Sequence, residues 1–120
     1  MKLRIRGNSV RLRLTRSEVE EFGITGKIEE TVDFGPGKRK LVYALEAYPG
    51  ERVFGDYEEN SIRVFVPAEQ ARLWVISDSV GVESAGEGLQ ILIEKDFACL
   101  NERPGENEDD SFPNPKGASG

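Results

Sequence analysis

Laid over itself with a shift of 52 residues, the chain meets its own pattern, and that self-similarity restricts the fold more than any single residue does. Asn8-Ser9-Val10-Arg11-Leu12-Arg13-Leu14 falls on Asn60-Ser61-Ile62-Arg63-Val64-Phe65-Val66, with three positions identical and three exchanging one aliphatic residue for another. The same shift lays Phe22 on Trp74, Ile24 on Ile76 and Ile28 on Val80. At a shift of 48, Leu41-Val42-Tyr43-Ala44-Leu45-Glu46 falls on Leu89-Gln90-Ile91-Leu92-Ile93-Glu94. The missing residues fall between the last two strands of the unit, where a hairpin loop shortens at little cost. The pattern predicts an internal ββαββ duplication, with one copy over about 1–47 and the other over about 53–97.

Local signals give each unit the same order. Leu3 and Ile5 alternate with Lys2, Arg4 and Arg6, and Val10, Leu12 and Leu14 alternate with Arg11 and Arg13. Both runs read as strands with one buried face. Gly7-Asn8 between them suits a two-residue hairpin turn with glycine first. Thr15 to Glu18 fits a capping box for a short helix, with Val19 and Phe22 inside and Gly23 near its end. In the second unit Pro67 takes the helix start, where its missing N–H costs nothing, and Ala71, Trp74 and Val75 form the apolar stripe. Strands follow over about 27–34, 40–47, 80–84 and 89–97. The connection Tyr48-Pro49-Gly50-Glu51 is too short to separate independent domains, so the halves must share one core. Residues 1–100 therefore read as one mainly β domain.

Composition narrows the chemistry. Among 120 residues there is no histidine and a single cysteine, Cys99. The commonest general base and metal ligand is thus missing, an internal disulfide is impossible, and zinc has no ligand set. No cofactor or metal is expected, and no catalytic residue stands out. The adjacent carboxylates Glu20-Glu21, Glu29-Glu30 and Glu58-Glu59 make poor acid–base dyads, since strand neighbours point to opposite faces. Absence of a signal peptide or a long apolar run points to a cytoplasmic protein without a membrane partner.

Arranged as ββαββ units, the chain resembles the swapped-hairpin domains of the AbrB/MazE/SpoVT type. Ile62-Arg63-Val64-Phe65-Val66-Pro67 is similar to that family's first strand and its proline, and Ser77-Asp78-Ser79-Val80 to its turn into the next strand. Phe22-Gly23-Ile24 with Thr25-Gly26-Lys27-Ile28 is similar to the family's helix end and polar turn. Ser9 and Ser61 stand where the family places glycine before the second strand, and Thr15 replaces its proline. Family members pair two chains by interleaving hairpins into one small barrel. The resemblance therefore implies the same pseudo-twofold swapped-hairpin or cradle-loop-like barrel from one chain, a covalent pseudo-dimer expected to be monomeric. It also implies DNA binding through the basic region.

That region is the first sixteen residues, which carry six basic residues and no acid. Arg4, Arg6, Arg11 and Arg13 are expected to share one outer face and are the candidate binding face. Two fates suit them: pairing with Glu29, Glu30, Asp33 or Glu46 on neighbouring strands, or contact with a partner. The formal net charge of −6 weighs against duplex DNA, which selects clustered cations. From Asn101 the chain turns acidic, and 101–120 is expected to be a disordered tail in which Asp109, Asp110 and Phe112 could dock on a basic partner. The favoured expectation is a non-enzymatic binding module for an unidentified protein partner. A DNA-binding regulator or antitoxin-like protein is the first alternative, and an enzyme with a carboxylate-only site the second.

Overall fold

The computed structural model describes residues 1–79, 81–84 and 88–96. The order is β1 (Lys2–Arg6), β2 (Ser9–Leu14), α1 (Arg16–Thr25), β3 (Lys27–Asp33) and β4 (Lys40–Tyr48), then β5 (Phe54–Glu58), β6 (Ser61–Pro67), α2 (Ala68–Ile76), β7 (Gly81–Glu83) and β8 (Gln90–Lys95). The domain is mainly β with two helices. Its strands form two four-stranded sheets, β1-β2-β8-β7 and β3-β4-β6-β5.

Neither half makes a sheet by itself. β1 and β2 form an antiparallel hairpin that is completed by β8, which runs parallel to β2 with Ser9 opposite Gln90 and Leu14 opposite Lys95. The other sheet mirrors this, with β6 parallel to β4 and Ser61 opposite Val42. Under the two shifts found in the sequence, Ser9 becomes Ser61 and Gln90 becomes Val42, so both cross-half junctions have the same register. The hairpins agree too: Lys2 opposite Arg13 corresponds to Phe54 opposite Phe65. One pairing departs from the expected alignment. Ile28 lies opposite Leu45, and Val82 lies opposite Ile93, so the counterpart of Ile28 is Val82 rather than Val80. Two extra residues in the turn after α2 cause that offset, and Val80 itself lies outside the described residues.

The core follows the same exchange. The largest fully buried side chains are Leu12, Leu14, Leu45, Ile93, Val64 and Val66. They come from the four central strands and form three equivalent pairs under the shifts. At roughly 1.5–3 kcal/mol for each buried aliphatic side chain, this shared layer is the chief term holding the halves together. The helices meet at equivalent residues. The rings of Phe22 and Trp74 are in edge-to-face contact with centroids 6.2 Å apart, a geometry favoured by aromatic quadrupoles. Next to them, a Cβ on Gly23 would lie 2.9 Å from Val75 Cγ1, so a side chain there would force Val75 to shift.

The structure corrects several expectations. The sheets are open: β1 and β7 end one, β3 and β5 the other, and strand pairing closes no barrel among the described residues. Gly23 is near the end of α1 as expected, but the residue that stops the helix is Gly26, in the left-handed conformation at φ +80°. Pro67 ends β6 and serves as the N-cap of α2, one residue earlier than expected. The capping box of α1 is formed as expected, Thr15 accepting from the Glu18 N–H and Glu18 accepting from the Thr15 N–H. At the far end of α2, Lys95 donates to the Ser77 carbonyl at 2.8 Å and lies 5.4 Å from the centroid of Trp74. No helix is long and apolar enough to cross a membrane, among the described residues.

The helix contact yields a test. Gly23→Leu should destabilise the domain by about 1–3 kcal/mol through overpacking, and adding Val75→Ala should recover part of the loss. Thermal or denaturant unfolding of the two variants measures both effects.

Candidate functional site

The register of the first hairpin decides what its outer face carries. Because β1 and β2 are antiparallel with Leu3 opposite Leu12 and Ile5 opposite Val10, the apolar residues face inward. The alternate positions place Arg4 opposite Arg11 and Lys2 opposite Arg13 on the outer face, with Arg6 opposite Ser9. The four expected arginines therefore do share one face, joined by Lys2. Like charges directly opposite on a sheet are unfavourable, so this arrangement costs energy unless counter-charge is supplied.

The expected counter-charge is not where sequence reasoning placed it. Glu29, Glu30, Asp33 and Glu46 all belong to β3 and β4, which are in the other sheet. There Glu46 lies 3.9 Å from both Lys27 and Arg63. Arg13 is instead paired with Glu94 of the adjoining β8, with Nη2 and Oε1 2.9 Å apart. Arg6 is also engaged. Lys2, Arg4 and Arg11 have no carboxylate at ion-pair distance among the described residues, and Lys2 and Arg4 are exposed. A shallow depression of about 210 Å³ lies beside Arg11 on the same sheet, lined by Ser9, Glu83, Gln90 and Leu92 among others. The face is thus cationic and solvent-facing, bordered by the free edge of β1.

The equivalent face of the other sheet differs at its edge strand, although Arg63 keeps the place of Arg11 and lies opposite Asp56. The shift of 52 puts Phe54 at the place of Lys2, Asp56 at that of Arg4, Glu58 at that of Arg6 and Phe65 at that of Arg13. Phe54 and Phe65 stack with centroids 4.8 Å apart, and Tyr48 packs edge-on against both. Asp56 and Glu58 are exposed on the edge strand β5. The reversal at Arg4 and Arg6 is readable in the sequence laid over itself, at outer-face rather than core positions.

A second cluster was not legible from side-chain patterns, because its cation is the main-chain terminus. The Met1 ammonium donates to Glu18 and, at 2.8 Å, to Glu30, while Tyr43 Oη donates to the Met1 carbonyl at 3.0 Å. Burial works against the charged amine, but the hydrogen bonds and charges of Glu18 and Glu30 outweigh it and raise its pKa. Burial also opposes ionised Glu18, yet the ammonium and the Thr15 cap hold its carboxyl below the usual range. Tyr43 is raised by burial, then by Glu30 and Glu18. The same carboxylate therefore caps α1 and anchors the start of β1, tying the cationic ribbon to the helix.

The candidate tail residues Asp109, Asp110 and Phe112, and Cys99, lie outside the described residues. Among those described, no group of three His, Cys, Asp or Glu side chains could hold a metal ion.

The Glu18 cluster sets a pH dependence. Its lowered pKa contributes stability that is present above the unfolded carboxylate value and lost as pH falls through the folded one. The raised amine contributes stability that is present below its unfolded value near 8 and lost as pH rises through its folded value. Glu18→Gln should lower stability by about 1–2 kcal/mol at neutral pH and flatten both limbs of the stability–pH curve. Urea melts across the pH range check this.

No curated protein matches the chain, and no solved structure does. A family model described as a family of unknown function, DUF7009, matches residues 1–116. That match spans nearly the whole chain, and the chain therefore belongs to the DUF7009 family.

Proposed function

We propose that this chain is a non-enzymatic binding module that uses the outer face of β1 and β2 to contact an acidic segment of a protein partner. The observation that carries the reading is Arg4 directly opposite Arg11, with no carboxylate paired to either among the described residues. An anionic partner would supply the missing counter-charge. β1 is also a sheet edge with a row of backbone groups available for an added strand, which favours an extended polypeptide as the ligand.

DNA is the second reading, favoured by the same like-charge pairs and by the resemblance to swapped-hairpin regulators. Against it stand the net charge of −6 and the second copy of the face, where Asp56 and Glu58 replace Arg4 and Arg6. The proposed ancestry is a duplicated swapped-hairpin unit fused into a covalent pseudo-dimer. Each half gives its first hairpin to one sheet and its last to the other, in matching registers, and equivalent helix residues meet. Contacts between equivalent residues are the hallmark of a twofold interface.

Fluorescence anisotropy with two labelled probes tests the reading: an extended peptide alternating glutamate with apolar residues, and a DNA duplex. The peptide should bind, and Arg4→Glu with Arg11→Glu should weaken it by about tenfold or more. Duplex binding that falls steeply with salt and is lost in Arg11→Ala with Arg13→Ala, without peptide binding, would overturn the protein reading in favour of DNA.

A further inference from the structure

Among the described residues, β1 and β5 are two of the four sheet edges, and these two are the same length and occupy equivalent places at the ends of their sheets. Their outward residues are complementary. Aligned antiparallel over their full length, Lys2 falls opposite Glu58, Arg4 opposite Asp56 and Arg6 opposite Phe54. On the other face of the same alignment, Leu3 falls opposite Tyr57 and Ile5 opposite Gly55. Ile5 is 57% and Tyr57 66% exposed, unusually open for large apolar side chains on inward-facing strand positions. One pairing would thus set Glu58 and Asp56 opposite Lys2 and Arg4, which have no carboxylate partner among the described residues, and cover two bare apolar side chains on the other face.

Pairing either edge with its own copy is worse. β1 against β1 of a second copy brings Lys2 and Arg4 toward Arg6 and Arg4, and β5 against β5 brings Asp56 toward Asp56. Charged residues on edge strands normally guard against indiscriminate pairing. Here each edge repels its own kind and attracts the other, which is discrimination rather than simple protection.

We infer that the acidic partner of the cationic edge is a second copy of this chain, with β1 adding antiparallel to β5 in the register that sets Arg4 opposite Asp56. The sheet then continues as β7-β8-β2-β1 of one copy and β5-β6-β4-β3 of the next. This rests on the cationic face being a protein-contact surface and names the segment it takes. The contact is heterologous, leaving a free β5 on one copy and a free β1 on the other, so association extends beyond the dimer as concentration rises.

Sedimentation velocity of the untagged full chain at low salt, over a range of concentrations, tests it. The weight-average mass should rise with concentration and fall when salt is added. Lys2→Glu with Arg4→Glu, and separately Asp56→Lys with Glu58→Lys, should each weaken association by about a hundredfold or more, since like charges then face each other. All four residues are exposed, and thermal melts confirm that the variants are folded. An equimolar mixture of the two variants should associate again, because each supplies the edge that the other lacks. A wild-type chain that stays monomeric throughout, or association indifferent to both charge reversals, would overturn the inference. Retained binding of the acidic peptide in that case would show that the cationic face still takes a protein strand, from a different protein.

Discussion

The parallel junction between β2 and β8, with its twin between β4 and β6, is the constraint from which the rest of the structure follows. A lone two-stranded hairpin is marginal in water, and each half of this chain contributes only hairpins. By trading last hairpins, the halves build two four-stranded sheets whose central strands supply the fully buried layer of Leu12, Leu14, Leu45, Val64, Val66 and Ile93. Neither half keeps a core without the other. The helices follow from the same trade, since each must carry the chain from one sheet to the other, and they meet at Phe22 and Trp74.

Much of this was legible locally. Period-two alternation marked β1 and β2, and the Thr15–Glu18 capping box marked the start of α1. The repeat gave the ββαββ order. The hairpins were legible from their turns, but the junctions between halves, β2 with β8 and β4 with β6, were not, because parallel pairing between non-adjacent strands leaves no local signal. That gap explains why Arg13 meets Glu94 rather than one of the carboxylates on β3 or β4: the relevant neighbour is set by which half completes which sheet. The offset of Ile28 onto Val82 has a similar origin, as a turn insertion is invisible when two short apolar strands align almost equally well in either register. The barrel expectation needs closure between sheets, whereas among the described residues β1, β3, β5 and β7 are edge strands.

Those edges give the domain its asymmetry. The inward positions of the two halves match in size and polarity because they fill one shared core. The outward positions carry no such demand, and there the halves differ, with Lys2, Arg4 and Arg6 in one and Phe54, Asp56 and Glu58 in the other. A fold with near-equivalent frames thereby presents one cationic edge strand and one acidic, aromatic edge strand. Glu18 holds the first of these in place, joining the ammonium of Met1 to the cap of α1 and so fixing the start of the cationic strand.

The interleaving of the halves is most directly tested by amide hydrogen exchange and cross-strand NOEs on the labelled chain in solution. The account predicts contacts between the backbones of Val10 and Ile91 and of Leu45 and Val64, with slow exchange on both sides of each junction. Fast exchange throughout β8, or contacts that pair the first hairpin with the last hairpin of its own half, would contradict it.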